Sequence, residues 1–166
     1  MPKSIVVDPK VVRKSSKIKI KDIPVNQYKP DIEKEKKRFT AAGLKTMLWH
    51  MVLIREFESM LNDIKQQGNY QGLEYNHRGP AHLSIGQESA SVGQCVGLTV
   101  DDFIFGSHRS HGEILAKCFS AVDKLDDKGL RGVMESYMDG APLKVVEKGF
   151  DGTTKDLAEN YVLYGT

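Results

Sequence analysis

Apolar positions along the chain first become regular at Thr40. Leu44, Leu48, Met51 and Arg55 follow one another at three- and four-residue steps, Leu61 extends the row, and Met47, Ile54 and Phe57 widen it. That spacing predicts an amphipathic helix over 40–67 with a wide buried face. Gly68-Asn69 then ends it. Arg55 and Glu58, three positions apart, are read as a surface pair worth a few tenths of a kcal/mol. Residues 68–81 are read as a loop, because Gly, Asn and Pro interrupt regular structure there. The loop carries Tyr70, Tyr75, His77 and Arg78, and aromatic and basic side chains make it a better site candidate than a plain Ser/Gly loop.

A second helix is expected over 86–98, started by a capping box of Ser84 with Gln87. Its small residues, among them Ser89, Ala90, Ser91 and Gly93, admit a close neighbour but give little intrinsic helicity. Asp101 to Phe105 reads as a short strand, and Gly106 ends it. The turn Ser107-His108-Arg109-Ser110-His111-Gly112 leads into a third helix over 110–120, with Ser110 and Glu113 at capping-box spacing. Residues 121–132 read as two charged turns and 133–138 as a short helix stopped by Asp139-Gly140 and Pro142. After a loop at 149–153, Leu157, Tyr161 and Tyr164 mark a last helix from Thr154. Before Thr40 the chain reads as an extended arm. Pro9, Pro24 and Pro30 break helices there, while the alternation from Lys17 to Lys21 admits a short edge strand. No internal repeat is evident.

Charge divides the chain in the same place. The 166 residues carry a formal net charge of +2, yet residues 1–39 hold 12 basic and 5 acidic side chains. The arm is thus strongly basic and the remainder, with 12 basic and 17 acidic residues, acidic. The domain reading is an arm over 1–39 and a body over 40–166. A basic arm can meet nucleic acid, a membrane surface or an acidic neighbour, or lie solvated along its own body. The body's opposite sign favours the last of these. The arm also lacks aromatic residues interleaved with its charges, so nucleic acid is not expected as a partner. Cys95 and Cys118 form no CxxC or Cys/His cluster, which argues against zinc and against a disulfide framework. Two free thiols suit a reducing cytoplasm, the compartment expected here. The start, MPKSIVVDPK, has no apolar stretch of the secretory kind. The run Met47 to Ile54 is far too short to cross a bilayer, so no membrane partner is expected.

The strongest chemical candidate is the turn at 107–112. A helix start offers unpaired N–H groups and the positive end of the helix dipole. An arginine beside it can hold an oxyanion with two parallel hydrogen bonds. Arg109 with His108 and His111 therefore reads as a phosphate site, against the plainer reading of a surface turn with histidine caps. His82, after the Gly79-Pro80 turn, is either a pocket residue or a hydrogen-bonded structural histidine. His77 is a weaker candidate. His50, beside Trp49 in mid-helix, reads as packing or surface. Glu88 and Glu113 read as caps rather than acids. No GxGxxG, Walker loop, nucleophile elbow or HExxH is present.

Three segments, in order over 44–120, resemble one family. Met51-Val52-Leu53-Ile54-Arg55-Glu56-Phe57-Glu58 is similar to the first helix of the alpha subunits of thiamine-diphosphate-dependent 2-oxo acid dehydrogenases, the pyruvate, branched-chain and acetoin type. His82-Leu83-Ser84-Ile85-Gly86-Gln87-Glu88-Ser89-Ala90-Ser91-Val92-Gly93 resembles their H-L-x-x-G-Q-E-A signature. Asp101 to Gly112 resembles their D-x-[VI]-x-x-x-[YH]-R-x-H-G turn. The resemblance implies an α/β fold, here the mostly helical amino-terminal portion of a doubly wound thiamine-diphosphate-binding domain whose sheet is incomplete in this chain. It implies oxidoreductase chemistry on the oxo group of a 2-oxo acid, with a lipoyl disulfide as acceptor.

By the same resemblance Arg109 matches the arginine that binds the cofactor's diphosphate. His108 stands where many members have tyrosine, His82 matches a histidine near the reacting ring, and His111 matches a supporting histidine. The catalytic expectation thus falls on His82 and His111, and the cofactor-binding expectation on Arg109 and His108. Departures accompany the match. The family's magnesium site, a Gly-Asp-Gly strand end with a downstream asparagine, is not in this sequence, so no metal ligand is assigned. The glutamate that activates the cofactor belongs to the beta half. The expected partners are a beta subunit or beta half, the lipoyl domain of an acyltransferase and the 2-oxo acid. The arm and the stretch 121–153 suggest the subgroup with fused halves. The chain is expected to be the front of a larger protein, catalytically inactive alone. A non-catalytic assembly module is the alternative.

Overall fold

The computed structural model describes residues 7–29, 31–76 and 78–166, so the candidate His77 and the arm's Pro30 lie outside the described residues. Residues 7–29 are exposed throughout. Helix α1, Pro9–Val12, is a single turn whose Asp8 cap accepts from Lys10 N–H at 2.9 Å. Pro9 therefore starts a turn here rather than breaking one, because its missing N–H is not needed at the first helical position. Residues 17–21 form no strand.

Helix α2, Ile32–Gln67, is capped by Asp31 and interrupted at Thr40, where φ is 59° and ψ is 163°. The Thr40 hydroxyl accepts from Gly43 N–H at 3.2 Å, so a fresh helical run begins where the apolar periodicity begins. Gly68, with φ of 66°, closes the helix by donating to the Ile64 carbonyl. The segment 68–81, expected as a loop, begins instead with a hairpin. Strands β1, Asn69–Tyr70, and β2, Leu73–Glu74, pair antiparallel. Gln71 and Gly72, with φ of 50° and 84°, supply the two left-handed residues that match a hairpin's twist.

This hairpin is the only sheet among the described residues. The strand expected at 101–105 does not form: the segment has no pairing neighbour, and the Phe105 side chain is fully exposed. Without a neighbouring strand the backbone groups have no ladder to join, so nothing holds the segment as a strand. The described residues are otherwise mostly helical.

Helices α3, Glu88–Cys95, and α4, His111–Val122, pack on α2. Neither expected capping box forms, for no side-chain cap is made at Gln87 or Ser110. Ser84 instead donates its hydroxyl to the Arg109 carbonyl at 2.6 Å, a tertiary bond that replaces the local one. Helix α5, Asp127–Ser136, is capped by Asp126 through Gly129 N–H at 2.7 Å, where two charged turns were expected. A 3-10 turn, Tyr137–Gly140, leads to α6, Ala141–Gly149. Pro142 occupies the first turn of α6, so it begins a helix and does not stop one. Helix α7, Thr154–Gly165, opens with a capping box formed by Thr153 and Asp156.

Two apolar clusters hold these elements. The first gathers Ile54 of α2, Val92 and Cys95 of α3, and Leu115, Ala116 and Phe119 of α4. The second gathers Leu130, Met134, Leu143, Val146, Leu157 and Ala158 from α5, α6 and α7, with Val122 at the end of α4. Val162 of α7 packs against both. No helix among the described residues is long and apolar enough to cross a membrane.

Candidate functional site

The site is built behind a residue that the sequence reading placed on the surface. Glu58 is fully buried. It lies four residues after Ile54 and three before Leu61, which puts it on the buried stripe of α2. Its two oxygens have separate partners: Oε2 accepts from Ser84 N–H at 2.8 Å, and Oε1 lies 3.1 Å from His111 Nδ1. The expected Arg55–Glu58 surface pair is thereby replaced. Arg55 instead grips Glu88 with two parallel bonds, from Nε at 2.6 Å and from a terminal nitrogen at 2.8 Å. Those bonds and the Gly86 N–H hold the Glu88 carboxyl down at about 2.

Ser84 ties the three segments together. Its N–H meets Glu58, its hydroxyl meets the Arg109 carbonyl, and that hydroxyl also accepts from Gly112 N–H at 3.4 Å. Gly112 permits this approach, because a Cβ there would lie 2.8 Å from Ser91 Oγ and 3.3 Å from Ser84 Cβ. The small residues of the second helix thus do admit a close neighbour, the first turn of α4.

In front of this junction lies a pocket of about 340 Å³ lined by Phe57, Leu61, Pro80, Ala81, His82, His108, His111 and Thr166. The His82 and His108 rings meet edge to face with centroids 4.8 Å apart. Phe57 stands edge-on to His111 at 6.3 Å. Three of the four residues singled out from sequence therefore line one pocket. Arg109 does not line it. It sits exposed on the adjoining turn and donates to the Leu83 carbonyl at 2.9 Å. A larger, mainly apolar groove of about 570 Å³, bounded by Leu53, Met60, Tyr70 and Phe150, contains no histidine.

The histidine pocket suits an anion rather than a cation. Each neutral imidazole offers one N–H, Arg109 and the first turn of α4 stand beside the pocket as further donors, and Glu58 behind them is sealed by its own two partners. Among the described residues no group of three or more His, Cys, Asp or Glu side chains gathers to hold a metal. His50 lies outside the pocket. It is buried, stacked on Phe119 at 5.1 Å, and burial pushes its imidazole below the ordinary value. Of the readings left open for it, packing is the one observed.

Comparison with known proteins returned two relevant relatives. Over 144 residues, 87% of this chain, it is 27% identical to the protein named pyruvate dehydrogenase E1 component subunit alpha, mitochondrial, of Schizosaccharomyces pombe. Over 71 residues, 43% of this chain, it is 35% identical to the alpha subunit of acetoin:2,6-dichlorophenolindophenol oxidoreductase of Bacillus subtilis. The aligned stretches cover 31% and 19% of those proteins, so the chain spans a third or less of either. No family profile and no solved structure matches it. The chain thus resembles the alpha subunits to which its three motifs pointed.

Proposed function

We propose that this chain is the amino-terminal part of the alpha subunit of a thiamine-diphosphate-dependent 2-oxo acid dehydrogenase, contributing the diphosphate clamp and one wall of the substrate channel. The observation that carries the reading is the convergence of His82, His108 and His111 on one pocket, beside Arg109 and the start of α4. These residues come from the two segments that match the alpha-subunit motifs.

The donor set fits the anionic end of the cofactor. Arg109 and His108, with the N–H groups at the start of α4, hold the diphosphate. When bound, thiamine diphosphate supplies the carbon nucleophile that attacks the oxo group. His82 and His111 line the pocket from which a substrate carboxylate would be oriented and a proton held. Magnesium finds no set of ligands among the described residues. Its ligands and the activating glutamate come from elsewhere in the assembly, with the beta subunit or beta half as the first partner. The lipoyl domain of an acyltransferase is the acceptor. A doubly wound sheet completes the fold outside these helices. Two free thiols favour a reducing compartment. Alone, the chain is expected to turn over no 2-oxo acid.

The test is a titration of thiamine diphosphate into the protein carrying this segment and into its Arg109→Ala variant. The arginine's bond to Leu83 engages one of five N–H donors, leaving others for a phosphate. Loss of a charge-assisted bond should weaken binding by roughly 1.5–3 kcal/mol, about one to two decades in dissociation constant. Arg109→Lys should recover only part, because it keeps the charge and loses the fork. Equal affinity in Arg109→Ala and the parent removes the phosphate role. The assembly-module reading draws support from Leu48 and Val52, which stand 60% and 42% exposed on α2. It predicts no cofactor binding at all.

A further inference from the structure

We propose that Glu58 is a positioning residue that fixes the tautomer of His111, holding the proton on Nδ1 and presenting Nε2 to the pocket as a hydrogen-bond acceptor. The proposal deepens the cofactor-site reading and rests on it for the identity of the ligand. The tautomer itself is argued from the two hydrogen-bond partners of Glu58 and does not need the ligand.

The argument begins with a donor that cannot change. Ser84 N–H is a backbone group in a buried residue, and its partner is Glu58 Oε2 at 2.8 Å. A backbone amide only donates, so Oε2 must accept. The other oxygen meets His111 Nδ1 at 3.1 Å. The fixed Ser84 N–H donor favours the ionised carboxylate, which only accepts, and with Glu58 ionised the proton between Oε1 and Nδ1 belongs to the ring. A neutral imidazole carries one N–H. With that proton on Nδ1, Nε2 has a free lone pair. His111 lines the pocket and its side chain is 32% exposed, whereas Glu58 is sealed. Arg109 and the first turn of α4, beside the pocket, are donors. His111 adds an acceptor that can take or orient an O–H or N–H proton of a ligand whose anionic end those donors hold.

Replacing Glu58 by glutamine inverts this arrangement without a change of size. The amide has one acceptor oxygen and one donor nitrogen. Ser84 N–H still requires the oxygen. The NH₂ then faces His111 Nδ1, which must become an acceptor, and the ring proton moves to Nε2. One isosteric substitution at a sealed position turns the pocket face of His111 from acceptor to donor. A role confined to packing would not produce that exchange.

The test is long-range 1H–15N NMR of the histidine rings in the 166-residue chain, taken at the alkaline end of a titration where the rings are neutral. The His111 signals are assigned by their loss in His111→Gln. The expected result is a single Nδ1–H tautomer in the parent and an Nε2–H tautomer in Glu58→Gln, seen as an exchange of the two 15N positions. An Nε2–H tautomer in the parent would mean that Glu58 keeps its own proton, and it overturns the proposal. So does an unchanged tautomer in a folded Glu58→Gln. If that variant does not fold, the parent spectrum decides alone. Thiamine diphosphate titrated with magnesium into the whole assembly that carries this segment separates the two readings. An Nδ1–H ring with no binding sinks the cofactor assignment only, and an Nε2–H ring with binding sinks this one only.

Discussion

The helices before and after residue 125 are held together on different terms. The first group, α2 to α4, buries Ile54, Leu115 and Phe119, but it also buries Glu58, Ser84, Glu88 and Ser91. Glu58, Ser84 and Glu88 all have named hydrogen-bond partners on other segments. The second group, α5 to α7, buries Leu130, Met134, Leu143, Val146, Leu157 and Ala158, with Glu159 as its buried polar residue. Even Glu159 looks back to the first group, accepting from Trp49 Nε1 at 3.0 Å. A buried polar group costs free energy unless its partner is in place. The first group is therefore fixed by directional bonds as well as by apolar volume, whereas the second is held mainly by apolar volume, where volume-conserving swaps are tolerated best. The histidine pocket is lined mainly from the first group, where directional bonds set side-chain positions.

The largest effects should come from the two apolar clusters, and they measure whether the groups are independent. Phe119→Ala empties a fully buried site in the first cluster and should cost about 3–5 kcal/mol. Leu130→Ala in the second should cost about 2–5 kcal/mol. Because Val162 packs against both clusters, each variant is expected to shift one cooperative transition. Urea unfolding followed by Trp49 fluorescence and by far-ultraviolet circular dichroism checks this. Non-coincident transitions in Leu130→Ala would show that α5 to α7 melt as a separate unit.

The contrast also explains what the sequence did and did not disclose. The apolar stripe made the long helix legible, and the break at Thr40 falls where the stripe starts. Glu58 was misplaced because a local charge pair was assumed for it, although its own spacing from Ile54 and Leu61 marks a buried position. Its true partners, Ser84 and His111, lie 26 and 53 residues away, and no local rule reaches them. Both failed capping boxes have the same origin: in each, the helix start is held by tertiary contacts. Phe103 to Phe105 looked like a strand because aromatic residues favour pleated surfaces, but no partner strand lies beside it. The hairpin was missed because Gln71-Gly72 is a weaker turn signal than Asn-Gly. Helix α6 was missed because Pro142 was read as a stop. The convergence of His82 and His108 has no signature in periodicity. Only the resemblance of their two segments to one family placed them together.

Acid should act in opposite directions on the buried carboxyls of the two groups, Glu88 and Glu159. In the first, Arg55 and the Gly86 N–H hold Glu88 at about 2, below its ordinary value of 4.5. A depressed carboxyl contributes stability that is fully present above the unfolded value and is lost as pH falls through the folded one. His50, lowered by burial, has the same sign, its loss starting as pH falls below the ordinary 6.5. In the second group burial raises Glu159, so its contribution grows as pH falls. Glu88→Gln should therefore flatten the loss of stability between about pH 4.5 and 2, and it should be less stable than the parent at neutral pH. Urea midpoints recorded at a series of pH values read both effects. A parent and variant with parallel profiles through that window would remove the Arg55–Glu88 grip from the account of the first group.

The smallest effects should be opposite in sign for the same substitution in the two groups. Gly112 in the first turn of α4 faces Ser91 Oγ and Ser84, and an added Cβ would sit 2.8 Å from the hydroxyl oxygen. Gly112→Ala must push α3 or the Ser84 segment away, which strains the bonds that Ser84 makes to Glu58 and Arg109. Overpacking of this kind costs typically about 1–3 kcal/mol. Gly132 in α5 is exposed, and nothing lies within 4 Å of the corresponding Cβ. Its backbone is helical, so alanine there loses no contact and restricts the unfolded chain more than glycine does. Gly132→Ala should therefore stabilise the protein by roughly 0.5–1 kcal/mol. Thermal or urea midpoints of the two variants give the comparison directly, and the His111 tautomer adds a second readout. Gly112→Ala should disturb that tautomer through Ser84, while Gly132→Ala should leave it unchanged. If both substitutions stabilise, the close approach at Gly112 is slack, and the first group is no more exacting than the second.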